Sequence, residues 1–221
     1  MRALVIYCHP REGSFNAAIR DLVLERLAAA GAEVRLTDLY ARGFDPVMSA
    51  DDHAGYERVP DNRRLVEQDC ADLEWCDTLI FVYPTWWYGL PAMLKGWLDR
   101  VLVPEVAFIM PRAHGETIRP GLTHIGKLGV FTTCGASWWL TTLVGAPGRR
   151  TLMRGLRLIL ARRARTAFAA HYLMDSSTPE SRAKHLARVR ARLDRLIAAP
   201  MPRVAAPPAP THHPRRAHEG S

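Results

Sequence analysis

An aromatic stretch between residues 83 and 97 is the part of the sequence best suited to binding a ligand. It places Trp86, Trp87 and Tyr88 between two prolines and a glycine. The apolar run at 78–82 predicts a buried strand before it, and a proline after it suits the first turn of a helix. Ligands bind at the carboxyl end of strands in open parallel sheets, where exposed aromatic side chains suit a large flat ligand. The alternative is a core patch or a dimer contact, because tryptophan and tyrosine are also enriched at interfaces.

A polar segment after the first predicted strand could hold a phosphate. It places His9, Arg11, Ser14 and Asn16 around the start of a predicted helix. The first N–H groups of a helix have no intrahelical partner and lie at the positive end of its dipole, so an anion can bind there. The segment has neither the Gly-x-Gly-x-x-Gly pattern nor the ending of a P-loop. The same residues are also consistent with a loop that binds no ligand, because Ser14 is a common N-cap residue and His9 could pack against its neighbours.

A third loop follows a predicted strand at 127–134. Around its end lie Thr132, Thr133, Cys134 and Gly135, whose hydroxyls and N–H groups could face the edge of an electron-rich ring. The segment could equally be a simple exit from the strand. Because the carboxyl ends of parallel strands meet at one edge of a sheet, we expect all three loops to line one crevice. Their coincidence, more than any single loop, predicts a binding site.

Apolar runs alternate with amphipathic segments along most of the chain, and this pattern predicts an α/β fold. Strands joined through helices pair in parallel with right-handed crossovers, so we predict a doubly wound five-stranded parallel sheet with helices on both faces. Prolines and glycines predict irregular structure at 40–60 and a long surface excursion at 104–122. The strands are predicted at 3–8, 33–39, 77–83, 127–134 and 166–174, and the helices at 15–30, 62–75, 91–101, 149–162 and from 177 onward.

The length of 221 residues predicts one domain, which we place at residues 1–198. Residues 199–221 are rich in Pro, Ala, His and Arg and poor in apolar residues, so we predict a disordered basic tail. The sequence has no apolar window long enough for a membrane span and no obvious signal peptide, and we expect a cytoplasmic protein without membrane insertion. Its four cysteines lack metal-ligand spacing, which predicts reduced structural thiols and no metal site.

The formal net charge is +8, and nearly all of the basic residues are arginines. One interpretation is a surface for phosphates or nucleic acid; the other is a coding bias that disperses arginines over solvated faces. No nucleic-acid-binding motif accompanies the charge, and the apolar residues between the arginines indicate an ordinary amphipathic helix, so we expect no nucleic-acid partner. The arginines considered for such a surface are Arg149, Arg150, Arg154, Arg157, Arg162, Arg163 and Arg165, together with the tail.

Three blocks of the sequence resemble the flavodoxin-like NAD(P)H:quinone oxidoreductases of the diaphorase type and their bacterial relatives. The resemblance spans residues 3–195, and its second block is long and specific. It implies a flavodoxin-like fold with five parallel strands. The blocks are His9-x-x-x-x-Ser14-Phe15-Asn16, then Pro84-x-x-Trp87-Tyr88-Gly89-x-Pro91-Ala92-x-Leu94-Lys95-Gly96-Trp97, and finally Thr132-Thr133-x-Gly135.

The resemblance implies a flavin held by all three loops. Donors at the ring edge would stabilise the negative charge that accumulates there on reduction. The phosphate side would be held by His9, Ser14, Phe15 and Asn16. The isoalloxazine would be enclosed by Pro84, Thr85, Trp86, Trp87 and Tyr88, and its other edge would meet Thr132, Thr133 and Gly135, with Cys134 between them.

The resemblance also implies an enzyme that takes two electrons from NAD(P)H and passes them to a quinone-like aromatic acceptor by a ping-pong mechanism. It implies a homodimer, and it favours FAD as the cofactor, with FMN as the alternative. Two other flavoprotein classes share the fold: an ancillary regulatory subunit of a membrane transporter, and a flavodoxin that carries single electrons. The cationic balance argues against the flavodoxin.

The window at 136–147 departs from the diaphorase pattern. Members of that type carry a tyrosine and a histidine there that assist charge movement at the flavin edge, and this chain has neither. The departure weakens the quinone assignment but leaves flavin binding intact, and nitro or azo acceptors stay open. Trp138 and Trp139 occupy the window instead, either shaping the substrate pocket or packing at a dimer contact.

Overall fold

The computed structural model describes residues 1–113 and 115–202. Five strands form a parallel sheet in the order β2-β1-β3-β6-β7, which confirms the predicted flavodoxin-like, doubly wound fold. A hairpin of two short strands, β4 and β5, stands apart from it. The strands are β1 Arg2–Tyr7, β2 Glu33–Asp38, β3 Thr78–Thr85, β4 Phe108–Ile109, β5 Arg119–Pro120, β6 Lys127–Cys134 and β7 Arg165–His171.

Helices cover both faces of the sheet. Buried residues of α1 and α7 pack with one face, and those of α3 and α4 with the other, so the core has two halves separated by the strands. No helix within residues 1–113 and 115–202 is long and apolar enough to cross a membrane. The α-helices are α1 Phe15–Ala29, α2 Ala50–Gly55, α3 Glu67–Trp75, α4 Ala92–Val101, α5 Trp138–Leu143, α6 Pro147–Arg150 and α7 Pro179–Ala198.

The central strands are buried almost throughout, because helices cover both of their faces. Every residue of β6 is buried, whereas the residues of the edge strand β2 are half-exposed or exposed, except for Thr37. The predicted cap of α1 is present as well. The Ser14 side chain caps α1, and Thr178 forms a capping box with Ser181 at the start of α7.

Two helical predictions differ from the structure. The helix predicted at 62–75 begins only at Glu67, after a 3₁₀ turn at Asp61–Arg63. The region 149–162 is not one α-helix: α6 passes into a π-helical turn at Thr151–Gly155 and a 3₁₀ turn at Leu156–Ile159. A glycine inside the segment weakens the regular helix, while its leucines keep their contact with the core.

Three segments contain more structure than the sequence indicated. The region 40–60 holds α2, whose capping box pairs Ser49 with Asp52. The excursion at 104–122 folds into the β4–β5 hairpin and buries part of its chain against the core. Helix α5 begins after the N-cap Ser137, a signal that the sequence does contain. Of the predicted tail, residues 203–221 lie outside the described residues.

A buried carboxylate ties α4 to the rest of the core. Asp69 on α3 accepts two hydrogen bonds from the Arg42 guanidinium, at 2.7 and 2.8 Å, and one from the Trp97 indole at 2.6 Å. Trp97 is fully buried and lies on the helix that follows the aromatic loop. This network therefore holds one end of that loop in place.

Candidate functional site

The loops after β1, β3 and β6 meet around one cavity of about 850 Å³. It lies at the carboxyl edge of the sheet, where the strand order reverses between β1 and β3. All three loops contribute to it, so the structure brings most of the predicted residues together. Those that line the cavity are His9, Ser14, Phe15, Asn16, Pro84, Thr85, Trp86, Trp87, Tyr88, Thr133, Cys134 and Gly135.

The first loop presents the start of α1 to the cavity. Ser14 Oγ accepts a hydrogen bond from the Ala17 N–H at 3.1 Å, and the Tyr7 hydroxyl lies 3.3 Å from the same oxygen. The N–H groups of Phe15 and Asn16 precede the first intrahelical bonds of α1. They lie at the positive end of the helix dipole, so this wall of the cavity favours an anion.

His9 adds a neutral imidazole to the same wall. Its Nδ1 lies 3.0 Å from the Arg11 nitrogen and 3.1 Å from the Arg11 carbonyl oxygen, so either neutral tautomer of the ring can form a hydrogen bond with the Arg11 main chain. Burial lowers the pKa of the His9 imidazole, and the nearby Arg11 charge acts in the same direction. The ring is therefore uncharged at neutral pH.

Asn16 connects the first loop to the third and leaves one atom free for a ligand. Its Nδ2 donates to Thr133 Oγ1 at 2.9 Å, across 117 positions of sequence. Its Oδ1 is buried and has no hydrogen-bond partner among the described residues. A buried acceptor without a partner costs about 1–3 kcal/mol, so a ligand N–H or O–H at this point would be stabilised.

The second loop is a tight, strained turn. The Gly89 N–H donates to the Trp86 carbonyl at 2.9 Å, and the two residues between them have positive φ angles, 47° for Trp87 and 61° for Tyr88. Left-handed backbone costs an aromatic residue about 1–2 kcal/mol. The Gly148 N–H of α6 donates to the Tyr88 carbonyl at 3.3 Å and helps to hold the turn. Such strain is typical of ligand sites.

The third loop divides its two threonines between the cavity and the sheet interior. Thr133 lines the cavity, whereas Thr132 is buried with its Oγ1 2.9 Å from Thr85 Oγ1. Neighbouring side chains on a strand point to opposite faces, so both threonines cannot meet the same ligand through their side chains. The structure thus places Thr132 beneath the site, as a brace between β3 and β6.

Two charged residues of the site were not assigned from the sequence. Arg182, in the first turn of α7, lines the cavity and donates its Nε–H to Ser177 Oγ at 2.8 Å. Asp175 also lines it, and one of its carboxylate oxygens would lie 3.0 Å from a Cβ added at Gly135. Both follow β7, whose carboxyl end lies at the same edge of the sheet, and that placement was the available signal. The remaining lining residues are Arg11, Gly13, Ala136 and Met174.

The charges at the cavity are predominantly positive. Arg11 and Arg182 are the guanidinium groups that line it, and the dipole of α1 adds to their field. Asp175 is the carboxylate among the lining residues, and it lies on the third-loop side, against Gly135. An anionic group therefore fits at the α1 end, where arginine can form paired hydrogen bonds to phosphate.

The two tryptophans of α5 lie outside the cavity of the single chain. Trp138 is 60% exposed and Trp139 is 65% exposed. The strained turn presents Trp87 even more openly, at 94%. Monomeric proteins seldom leave several large aromatic side chains exposed in this way, so these residues mark a surface for a ligand or a partner.

The profile of a protein family described as having a flavodoxin-like fold matches residues 1–197. The chain belongs to this flavodoxin-like family. Its resemblance to the NAD(P)H:quinone oxidoreductases, inferred from three sequence blocks, is confirmed by relatives named NAD(P)H dehydrogenase (quinone).

Two curated relatives and one solved structure illustrate the similarity of this flavodoxin-like chain. It is 35% identical to NAD(P)H dehydrogenase (quinone) 1 of Cavia porcellus over 123 residues, which cover 48% of this chain and 45% of that protein. It is 30% identical to ribosyldihydronicotinamide dehydrogenase (quinone) of Pongo abelii over 164 residues, 66% of this chain and 69% of that protein. The structure of Smu.1420 from Streptococcus mutans superposes with a TM-score of 0.74 at 26% identity, over 87% and 98% of the two chains. The match thus spans about half the length of the first of these relatives.

A pair of buried histidines lies behind the first loop of the flavodoxin-like site. The rings of His171 on β7 and His185 on α7 have centroids 5.1 Å apart, and both contact the Phe15 ring. Among the described residues, His171 Nε2 and both ring nitrogens of His185 have no hydrogen-bond partner. Burial, the other histidine and Arg188 lower the pKa of His185 to about 4, and burial with Arg182 and Arg188 lowers that of His171.

This pair predicts a loss of stability in mild acid. In the unfolded chain both histidines bind protons below their ordinary pKa near 6.5, whereas in the folded chain they stay neutral until lower pH. Their stabilising contribution is therefore full above about pH 6.5 and is lost as the pH falls towards about 4. From His185 alone, the free energy of unfolding should drop by about 2 kcal/mol between about pH 7 and about pH 5. Urea denaturation at the two pH values measures this.

Two variants test whether the buried pair causes this pH dependence: His185→Leu removes one member of the pair, and His53→Gln is the control. Leucine at position 185 should reduce the difference between the two pH values, because it removes the more deeply buried imidazole. Glutamine at position 53 should leave the difference unchanged, since that ring is exposed on α2. If His185→Leu keeps the full wild-type difference, the pair is not its source.

Proposed function

We propose that this chain is a flavin-dependent NAD(P)H oxidoreductase that passes two electrons to quinone-like acceptors by a ping-pong mechanism. The observation that carries the proposal is one cavity with an anion-binding helix start on one side and a strained aromatic turn on the other. A flavin has a phosphate and a large flat ring and needs both. The relatives from Cavia porcellus and Pongo abelii, both named as quinone dehydrogenases, support the reaction class.

The residues of the cavity fit a flavin in polarity as well as in shape. Arg11, Arg182 and the first N–H groups of α1 would hold its phosphate. The buried Oδ1 of Asn16 would accept a hydrogen bond from the cofactor, which would supply the partner that this atom lacks among the described residues. Both FAD and FMN contain the ring and the phosphate that these residues suit. We propose FAD as the cofactor, with FMN as the alternative.

When bound, the flavin supplies hydride acceptance and release, which no side chain of the cavity provides. The chain's own residues bind and align. The turn at 86–89 would support the ring, while Thr133 and the main chain at Gly135 would meet its opposite edge. The uncharged His9 would offer its other ring nitrogen to the cofactor without adding a second full charge beside Arg11. Thr85 and Thr132, bonded to each other, would keep β3 and β6 in register beneath the ring.

We further propose that the protein functions as a homodimer. Trp87, Trp138 and Trp139 lie at the carboxyl edge of the sheet and are exposed in the single chain. Exposed aromatic clusters of this kind are typical of interfaces. A partner over this surface would narrow the mouth of the cavity, restrict water, and leave a slot in which nicotinamide and a flat acceptor bind in turn.

Two measurements on purified protein test the proposed function. The protein should be yellow, and heat should release a flavin that chromatography identifies as FAD or FMN. NADH or NADPH should be oxidised rapidly when menadione is added, and initial rates at several acceptor concentrations should give the parallel lines of a ping-pong mechanism. A colourless protein that also fails to bind added FAD and FMN would refute the proposal.

A further inference from the structure

Six arginines line a hollow of about 670 Å³ at the amino end of β7. We name it the basic hollow. Its other lining residues are alanines, a threonine and a leucine, without a carboxylate. The arginines are Arg157, Arg162, Arg163, Arg165, Arg192 and Arg195.

The six side chains are brought together from three parts of the fold. Arg157 belongs to the 3₁₀ turn before β7, a run at 162–165 leads into that strand, and Arg192 and Arg195 are three positions apart on α7. Arginines that are close in sequence point elsewhere. The Arg149 guanidinium, for example, lies over the Phe168 ring at 4.7 Å. The hollow is thus a product of tertiary packing and not of one basic helix.

The charges of the basic hollow are not compensated within residues 1–113 and 115–202. None of its six arginines forms an ion pair with a described carboxylate, whereas arginines on other surfaces do. Arg35 and Arg42, for instance, each bond an aspartate at 2.7 Å. The six arginines are solvent-exposed, and like charges that line one concave surface repel one another and concentrate anions from solution. The hollow therefore favours a bound anion of several charges.

We propose that the basic hollow binds a compact polyphosphate group, that is, two or more linked phosphates. Guanidinium forks match phosphate oxygens in pairs, and six of them exceed what a single phosphate can use. The lining has no aromatic side chain on which a nucleobase could stack, so the phosphate chain itself is the recognised part. A concave site of this size also suits a compact anion better than the convex surface of a duplex.

The basic hollow lies far from the cavity that is proposed to bind the flavin. Arg165 begins β7 and His171 ends it, so the two sites lie at opposite ends of a seven-residue strand, about 20 Å apart. If the polyphosphate group belongs to a lipid headgroup, the membrane would lie on the side of the protein opposite the flavin cavity. The C-terminal segment is a poor occupant on charge grounds, because residues 203–221 contain three arginines and one glutamate.

Calorimetric titration of the full-length protein with sodium tripolyphosphate tests the proposal. Binding should be detectable at about 50 mM salt and should weaken clearly at about 300 mM, because the ionic contacts are screened. The variant Arg165→Gln/Arg195→Gln should lose at least about tenfold in affinity. The control Arg119→Gln/Arg154→Gln removes the same charge from exposed positions outside the hollow and should stay within about twofold of the wild type.

Thermal unfolding measurements check that the variants fold. If Arg165→Gln/Arg195→Gln does not fold, Arg162→Gln replaces it, because this residue lies in a turn outside β7. Binding to vesicles that contain a polyphosphorylated inositol lipid is compared with binding to matched vesicles without it. This comparison shows whether the polyphosphate group belongs to a lipid headgroup or to a free molecule in solution. Hollow-dependent binding to tripolyphosphate or to the inositol vesicles supports the proposal. It is overturned if neither binds, if the control loses as much affinity as the hollow variant, or if a DNA duplex binds the hollow more tightly than tripolyphosphate.

Discussion

Replacing Arg11 and Arg182 together by glutamine is expected to weaken flavin binding by about a hundredfold. Both guanidinium groups line the cavity beside the N-terminus of α1, where the cofactor phosphate is proposed to bind. A hydrogen bond to a charged group contributes about 1.5–3 kcal/mol, and each 1.4 kcal/mol is about a factor of ten in affinity. Two such contacts at the low end of that range account for the expected loss.

Fluorescence titration of the apoprotein with flavin measures this change. The control Arg119→Gln/Arg154→Gln has the same net charge but leaves the cavity intact, so its affinity should remain near that of the wild type. At saturating flavin, the double cavity variant should still be reduced by NAD(P)H, since its lost contacts concern the phosphate and not the ring. Equal affinities for the two double variants would show that the phosphate lies elsewhere.

Several parts of the fold that are decided by local sequence were predicted correctly. The apolar run at 78–82 predicted a buried strand, and all five of its residues are buried within β3. Ser14 was identified as a common N-cap residue because capping depends on the residues within one turn, and its side chain does cap α1. Since each strand was followed by a helix, the parallel order and the single ligand-binding edge followed from the connections.

Most features of the site that sequence reasoning missed depend on contacts between distant parts of the chain. Arg182 reaches the cavity only because α7 packs beside α1, and Asp175 because β7 ends at the same edge. The position of Thr132 beneath the site depends on the alternation along β6, which the sequence pattern contains but which was not applied. The basic hollow likewise combines arginines more than thirty positions apart, Arg157 and Arg195 among them.

Gly96→Ala is expected to destabilise the protein by about 3 kcal/mol. A Cβ at this position of α4 would overlap the carbonyl oxygen and the Cβ of Pro46 and would lie 2.6 Å from its Cα. A backbone neighbour cannot rotate away as a flexible side chain can, so α4 or the segment at 46 must move. For a chain of this length the melting temperature should fall by about 6–12 °C.

Gly155→Ala is the matched control for this substitution, because its backbone is also helical and the nearest atom to an added Cβ, the Arg150 carbonyl oxygen, is 4.0 Å away. Alanine there should leave the melting temperature unchanged or raise it slightly, since glycine has the poorer helix propensity. A comparable loss in both variants would mean that the contact with Pro46 is not responsible. The Gly96 variant should also bind flavin more weakly, because α4 begins directly after the aromatic turn, and a displaced helix moves that wall of the cavity. The glycine in this block of the sequence is thus explained by the close approach of two backbones, through which packing in the core positions the turn at the site.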